Sequence, residues 1–172
     1  MNELMKPVIV LTAICVVAAA LLGFTYNITA PLIAQAEEDA TNAAMAEVVP
    51  GATSFTPCEL STPIEGVLAV SQADGGLGYA IQVQDQGYGG AYVVMVGIGP
   101  DGKITGAKLT DNSETPGLGS KTGTEDFTSQ FIGKDRSLEG VETISGATIS
   151  SSAFLRCIDT AYQAYDAVGE GA

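Results

Sequence analysis

Histidine is absent from this chain, and that single absence removes Ser-His-Asp and Cys-His catalysis, HExxH zinc chemistry and His-ligated haem together. Cysteine is scarce and scattered: Cys15, Cys58 and Cys157 form no CxxC, which argues against a zinc or iron–sulfur centre within the chain. Basic residues are few as well. Seven Lys and Arg against 20 Asp and Glu give a net charge of −13, a balance that repels phosphate backbones and excludes nucleic acid as a partner. Only 16% of the residues are charged, yet 46% are apolar and 21 are glycine, so the chain is neither a disordered tail nor a soluble basic module. At 172 residues it accommodates one compact domain and a membrane segment, and is too short for a multidomain enzyme.

No charge occurs between Pro7 and Ala36, and residues 8–24 are almost continuously Val, Ile, Leu and Ala. This pattern predicts a single-pass transmembrane helix over residues 7–28; about 20 residues rise roughly 30 Å, the hydrocarbon thickness of a bilayer. The rival reading is a cleaved signal peptide, because Ala34-Gln35-Ala36 has the small-x-small form of a cleavage site. The apolar run is longer than a usual signal core and stands about ten residues from that site, and the chain starts at Met1, so an uncleaved anchor is expected. Lys6 is the only basic residue flanking the helix; the positive-inside rule therefore puts residues 1–6 in the cytoplasm and the rest outside. Ala18-Ala19-Ala20 with Gly23 would let another helix approach closely.

Residues 37–172 form the expected extracytoplasmic domain, about 135 residues, a normal size for one core. Residues 40–49 read as a helix rich in Ala, Met and Glu, stopped by Pro50-Gly51. Residues 66–71, 78–84, 91–98 and 103–110 read as strands, separated by Asp74-Gly75-Gly76, Gly87-Tyr88-Gly89-Gly90 and Pro100-Asp101-Gly102. From residue 151 the period becomes helical, with Phe154, Cys157, Ile158, Ala161, Tyr162 and Tyr165 on one stripe. The fold class is α+β: an antiparallel sheet packed with helices, tethered by the N-terminal helix. Gly97-Ile98-Gly99-Pro100-Asp101-Gly102 satisfies GxGxxG, but a strand-like segment follows it instead of a helix, so it reads as a tight turn. Cys58 and Cys157 could bridge, closing a loop of about 100 residues. Since Cys157 lies on the apolar stripe, a buried free thiol is the default.

Two stretches carry candidate chemistry. Ser145-Gly146-Ala147-Thr148-Ile149-Ser150-Ser151 places hydroxyls and small residues just before the C-terminal helix. Its bland reading is a helix cap; its functional reading is a phosphate at a helix N-terminus, with the Thr148 hydroxyl open to a bulky group. Glu114-Thr115-Pro116-Gly117-Leu118-Gly119-Ser120-Lys121 reads either as a surface turn or as a loop lying along a flat ligand, with Thr115 and Lys121 as polar contacts.

Taken in order, the N-terminal apolar helix, Gly87-Tyr88-Gly89-Gly90, Val96-Gly97 with Asp101-Gly102-Lys103-Ile104, Glu114 to Gly119 and Ser145-Gly146-Ala147-Thr148 resemble the FMN-binding G subunit of Rnf complexes. They resemble more distantly the C subunit of sodium-translocating NADH:quinone oxidoreductase. The resemblance covers essentially the whole chain. It implies an electron carrier within an ion-translocating ferredoxin:NAD oxidoreductase of the cell membrane, with FMN held by a phosphoester to Thr148 and installed from FAD by a flavin transferase. Glu142 stands six positions before Thr148, where relatives commonly have Asp; Asn112-Ser113 stands where many have a histidine. The implied cofactor-binding set is Thr148 with Ser145, Gly146, Ala147, Glu114, Thr115, Gly117, Leu118 and Lys121. The resemblance implies no residue that acts as a catalyst on an organic substrate and no bound metal. The N–H groups near residues 150–153 would stabilise the phosphate, and Leu118, Val94 or Phe154 would supply an apolar wall. The implied partners are other flavin- and iron–sulfur-containing subunits. Two rivals stay open: a stand-alone anchored flavoprotein feeding a separate reductase, and a structural surface protein such as a pilin.

Overall fold

The structure, a computed structural model, describes residues 5–60 and 62–169; residues 1–4 of the expected cytoplasmic end and 170–172 of the expected domain lie outside them. The chain divides after Ala40 into two units.

The first unit is most of one long helix, α1, Met5–Val48. Its apolar stretch is long and apolar enough to cross a membrane. Four polar side chains within that stretch are turned back onto the helix. Thr12 donates to the Val8 carbonyl at 2.9 Å, Thr25 to Leu21 at 2.9 Å, Asn27 to Gly23 at 2.9 Å and Thr29 to Thr25 at 3.0 Å. Such back-bonding satisfies polar groups that lipid cannot. The helix continues through Pro31 and through Ala34-Gln35-Ala36, so the expected helix over residues 40–49 is its last segment and not a separate element. It ends at Val48, one residue before the expected end at 49, with Gly51 beyond it at φ +94°.

The second unit begins at Thr41 and is built on a five-stranded antiparallel meander: β1 (Phe55–Cys58), β2 (Val67–Ala73), β3 (Tyr79–Gln86), β4 (Ala91–Ile98) and β5 (Ile104–Asn112), in that spatial order. The expected α+β class and the four expected strands are present; β1 is an addition. The Gly-rich GxGxxG segment is a hairpin turn between β4 and β5, closed by Gly102 N–H to Gly99 O at 3.0 Å and Gly99 N–H to Lys103 O at 2.8 Å.

Strand alternation gives the sheet two apolar faces. Ile81, Val83, Val94, Val96 and Ile98 face α3 (Thr148–Gly169), which buries Ala153, Phe154, Cys157, Ile158 and Ala161 against them. Ala80, Met95 and Ala73 face the other way and are covered by Ala44, Met45, Val48 and Val49 at the end of α1. Thr105 on β5 ties this second face down, donating to the Val48 carbonyl at 2.6 Å. Between β5 and α3 the chain forms a 3-10 turn (Gly119–Gly123), a one-turn helix α2 (Glu125–Thr128) and a second 3-10 turn (Ser129–Phe131). Phe127 and Phe131 from this region pack on Phe154, with ring centroids 5.3 and 4.9 Å away. The cysteines are free thiols; Cys157 is buried, and burial pushes its thiol up to about 12.

Candidate functional site

The N-terminus of α3 is set by its sequence. Gly146 takes φ +81°, a conformation that side chains resist, and turns the chain into the helix. The first helical bond is donated by Ser151 N–H to Ala147 O at 2.9 Å. The amides of Thr148, Ile149 and Ser150 therefore precede the ladder and have no backbone acceptor among the described residues. This places the free donors earlier than the expected residues 150–153, because α3 begins at Thr148 and not at 151. The entry is braced by Ile144 N–H, which donates to Ser151 Oγ at 3.1 Å.

Facing that helix end is the segment after β5. Pro116, Gly117 and Leu118 form a turn, with Gly117 N–H on Ser120 Oγ at 2.9 Å and Leu118 N–H on Thr115 O at 3.1 Å. Beneath it, the phenol of Tyr92 on β4 hydrogen-bonds the hydroxyl of Thr122, which donates to Gly119 O at 2.7 Å. Both side chains are fully buried, and burial holds the Tyr92 phenol well above its ordinary range. Glu114, 8% exposed, closes the base: Tyr88 N–H and Gly89 N–H reach Oε1 at 2.8 and 3.4 Å, and the Ser150 hydroxyl donates to Oε2 at 2.7 Å.

These segments enclose a cleft of about 490 Å³ lined by Tyr88, Glu114, Thr115, Leu118, Gly119 and residues 146–150. That volume falls in the ordinary range of small-molecule sites, about 300–1,000 Å³. Its rim is apolar: Tyr88, Leu118 and Ile149 are 70%, 45% and 54% exposed. Thr148 is exposed within it, on the first residue of the helix. Concavities of about 510 and 550 Å³ elsewhere are lined by charged and polar groups such as Glu47, Lys108 and Glu125, or Glu65, Asp85 and Arg156, and contain none of the expected site residues.

Of the nine expected residues, the cleft gathers Thr148, Gly146, Ala147, Glu114, Thr115 and Leu118. Ser145 and Gly117 are exposed beside it without lining it. Lys121 lines a separate, smaller hollow with Thr124, Asp126, Gln130 and Ile144. Among the three expected apolar walls only Leu118 lines the cleft. Val94 and Phe154 are fully buried in the core between sheet and α3, because the alternation of β4 and the stripe of α3 point them inward. Tyr88, Gly119 and Ile149 line the cleft but are not in the set expected from sequence, and Ser150 is expected there only through its backbone N–H; the glycines around Tyr88 are the signal that could have found it.

The FMN-binding domain family matches residues 87–163, and the RnfG N-terminal region matches residues 2–48. The G subunit of the ion-translocating oxidoreductase complex of Methanosarcina acetivorans is 33% identical, over 93% of this chain and 93% of its own length. The chain belongs to the G subunits of ion-translocating oxidoreductase complexes. A further relative, the G subunit of the proton-translocating ferredoxin:NAD(+) oxidoreductase complex of Clostridium ljungdahlii, is 28% identical over 89% of this chain and 86% of its own. A crystal structure of the C subunit of Na(+)-translocating NADH-quinone reductase from Parabacteroides distasonis superposes with a TM-score of 0.44 at 24% identity, over 55% of this chain and 59% of that one. These relatives are named as subunits of ion-translocating oxidoreductase complexes.

Proposed function

We propose that this chain is the electron-carrying G subunit of a membrane-bound ion-translocating ferredoxin:NAD oxidoreductase, with FMN esterified through its phosphate to the hydroxyl of Thr148. The observation that carries this reading is the position of Thr148: an exposed hydroxyl on the first residue of α3, inside the cleft formed by residues 114–119. The residues present fit the group. Three amides ahead of the helical ladder and the positive end of the helix suit a phosphate. Gly146, at φ +81°, turns the chain into α3 so that Thr148 opens on the cleft. Tyr88, Leu118 and Ile149 supply apolar surface for a flat ring system.

Bound FMN supplies one- and two-electron redox chemistry. The chain's own residues do the rest. Thr148 would anchor the phosphate, the amides of residues 148–150 would donate hydrogen bonds to it, and Leu118 and Ile149 would exclude water from one side of the cleft. The redox centres that exchange electrons with this chain lie in other subunits of the complex, flavin- and iron–sulfur-containing, and a flavin transferase using FAD as donor installs the cofactor. The head stands on the extracytoplasmic side of the cell membrane, a reading supported by Lys6 on the short side of the apolar helix. A covalent link suits that location, because a dissociated flavin would be lost from the cell.

Intact-protein mass spectrometry of the chain from native membranes tests the anchor. The expected mass is that of the polypeptide plus one FMN less one water, absent from Thr148→Val, with in-gel flavin fluorescence lost in parallel. An unmodified wild-type mass, or fluorescence retained by the variant after denaturation, rejects Thr148 as the anchor. Protease added to intact spheroplasts should digest the head, and protection of the head there would reject the placement.

A further inference from the structure

Glu114 is a buried acid in the wall of the cleft, yet both of its carboxylate oxygens are engaged by the chain itself. Oε1 accepts from the N–H groups of Tyr88 and Gly89, and Oε2 accepts from the Ser150 hydroxyl. The donors come from two segments far apart in sequence: the turn after β3 and the first turn of α3. The sequence makes room for this convergence with glycine. A Cβ on Gly87 would lie 2.1 Å from Oε1, and one on Gly119 would lie 2.2 Å from Oε2. Both carboxylate oxygens act as acceptors of these three hydrogen bonds, and bonds to a carboxylate are stronger than neutral ones.

We propose that Glu114 is the positioning residue of this cleft: it locks the turn after β3 to the first turn of α3, and its negative charge lowers the reduction potential of the flavin carried beside it. The inference rests on the FMN reading above and goes beyond it by assigning Glu114 a role through Ser150 and the Tyr88–Gly89 amides. The geometry gives the first half. Removing the carboxylate strands two amides and a hydroxyl that is almost wholly buried. Electrostatics gives the second. An electron entering a cleft that already holds a negative charge is opposed by it, and at an effective dielectric of about 20 a unit charge within about 10 Å shifts an equilibrium on the order of tenfold.

Two variants of the full-length chain, produced with its complex and flavin transferase, separate charge from geometry. In Glu114→Gln the amide oxygen still accepts from Tyr88 and Gly89, and the Ser150 hydroxyl turns to accept from the amide NH2. In Glu114→Ala the whole clamp is lost. The readouts are intact mass for loading at Thr148, the melting temperature of the flavin-free chain, and the midpoint potential of the loaded chain. The expected result is that flavin-free Glu114→Gln melts like wild type, while the reduction equilibrium of its loaded fraction moves about tenfold towards the reduced form, about 30 mV for a two-electron couple. Glu114→Ala melts lower in the flavin-free form and loads poorly. An unchanged potential in Glu114→Gln overturns the charge role, and wild-type melting in Glu114→Ala overturns the clamp. A wild-type chain without the FMN mass overturns the flavin reading, and the charge role with it, while the melting comparison still decides the clamp.

Discussion

Thr122 connects the core to the cleft, and the direction of its hydrogen bonds predicts how two substitutions differ. Its hydroxyl donates to Gly119 O at 2.7 Å, so its single proton is used and the Tyr92 phenol must be the donor in the bond between them. Tyr92→Phe removes one neutral hydrogen bond, leaves Thr122 still donating, and should cost about 1 kcal/mol. Thr122→Val removes both bonds and leaves a fully buried phenol with no acceptor, so it should cost about 2–4 kcal/mol, combining one lost bond with one orphaned donor. For a domain of this size about 4 °C of melting temperature accompanies each kcal/mol, giving drops of about 4 °C and about 8–16 °C. Near-UV circular dichroism on the full chain in detergent, scanned with temperature, reads both. Adding Tyr92→Phe to Thr122→Val should restore part of the loss, because the orphaned phenol disappears. If Thr122→Val is no more destabilising than Tyr92→Phe, or the double variant is worse than Thr122→Val alone, the donor assignment is wrong.

Phe154→Ala should destabilise the domain by about 3–5 kcal/mol, since its ring stacks on Phe131 and meets Phe127 and Tyr92 edge-on; a stability within about 1 kcal/mol of wild type in denaturant titration would contradict the packing. Cys157, with its thiol pushed up to about 12 by burial, should resist alkylation at pH 8 until the domain unfolds; Cys58, half-buried, should label first, and mass mapping after a timed pulse distinguishes them. Burial also raises the Tyr162 phenol to about 12, and a raised pKa stabilises the fold only while the group keeps its proton. The stability from Cys157 and Tyr162 should be intact below their ordinary values of 9.0 and 10.0 and be lost progressively up to about pH 12. A urea midpoint unchanged between about pH 8 and about pH 11.5 would refute this.

Features whose physics is local were readable from the chain alone. An uncharged apolar run is a candidate membrane span wherever the rest of the chain goes, and polar residues such as Thr12, Thr25 and Asn27 fit it by bonding their own helix. Gly and Pro clusters placed the hairpin turns, and the change of period at residue 151 announced α3 within three residues of its start. The run of residues 145–151 was legible as the boundary of α3, because hydroxyl and small residues favour helix starts; that Thr148 opens on a cleft appears only once residues 114–119 fold beside it. The rest came from how the elements pack. β1 is invisible in sequence because Pro57 argues against a strand; the antiparallel pairing of Phe55–Cys58 with β2 at the sheet edge supplies what propensity withholds. The continuity of α1 past Pro31 was hidden because proline removes a helical donor, and only the intact helix on either side reveals that the chain tolerates it. Leu118, Val94 and Phe154 are equivalent as apolar candidates when read as letters. Sheet alternation and helix phase send the last two into the core and leave Leu118 at the cleft, since which face a side chain occupies depends on what packs on each side of the sheet. Glu114 shows the same division most sharply. Its identity is a letter in a loop, but its burial and its three donors exist only because β3, β5 and the start of α3 meet at one place.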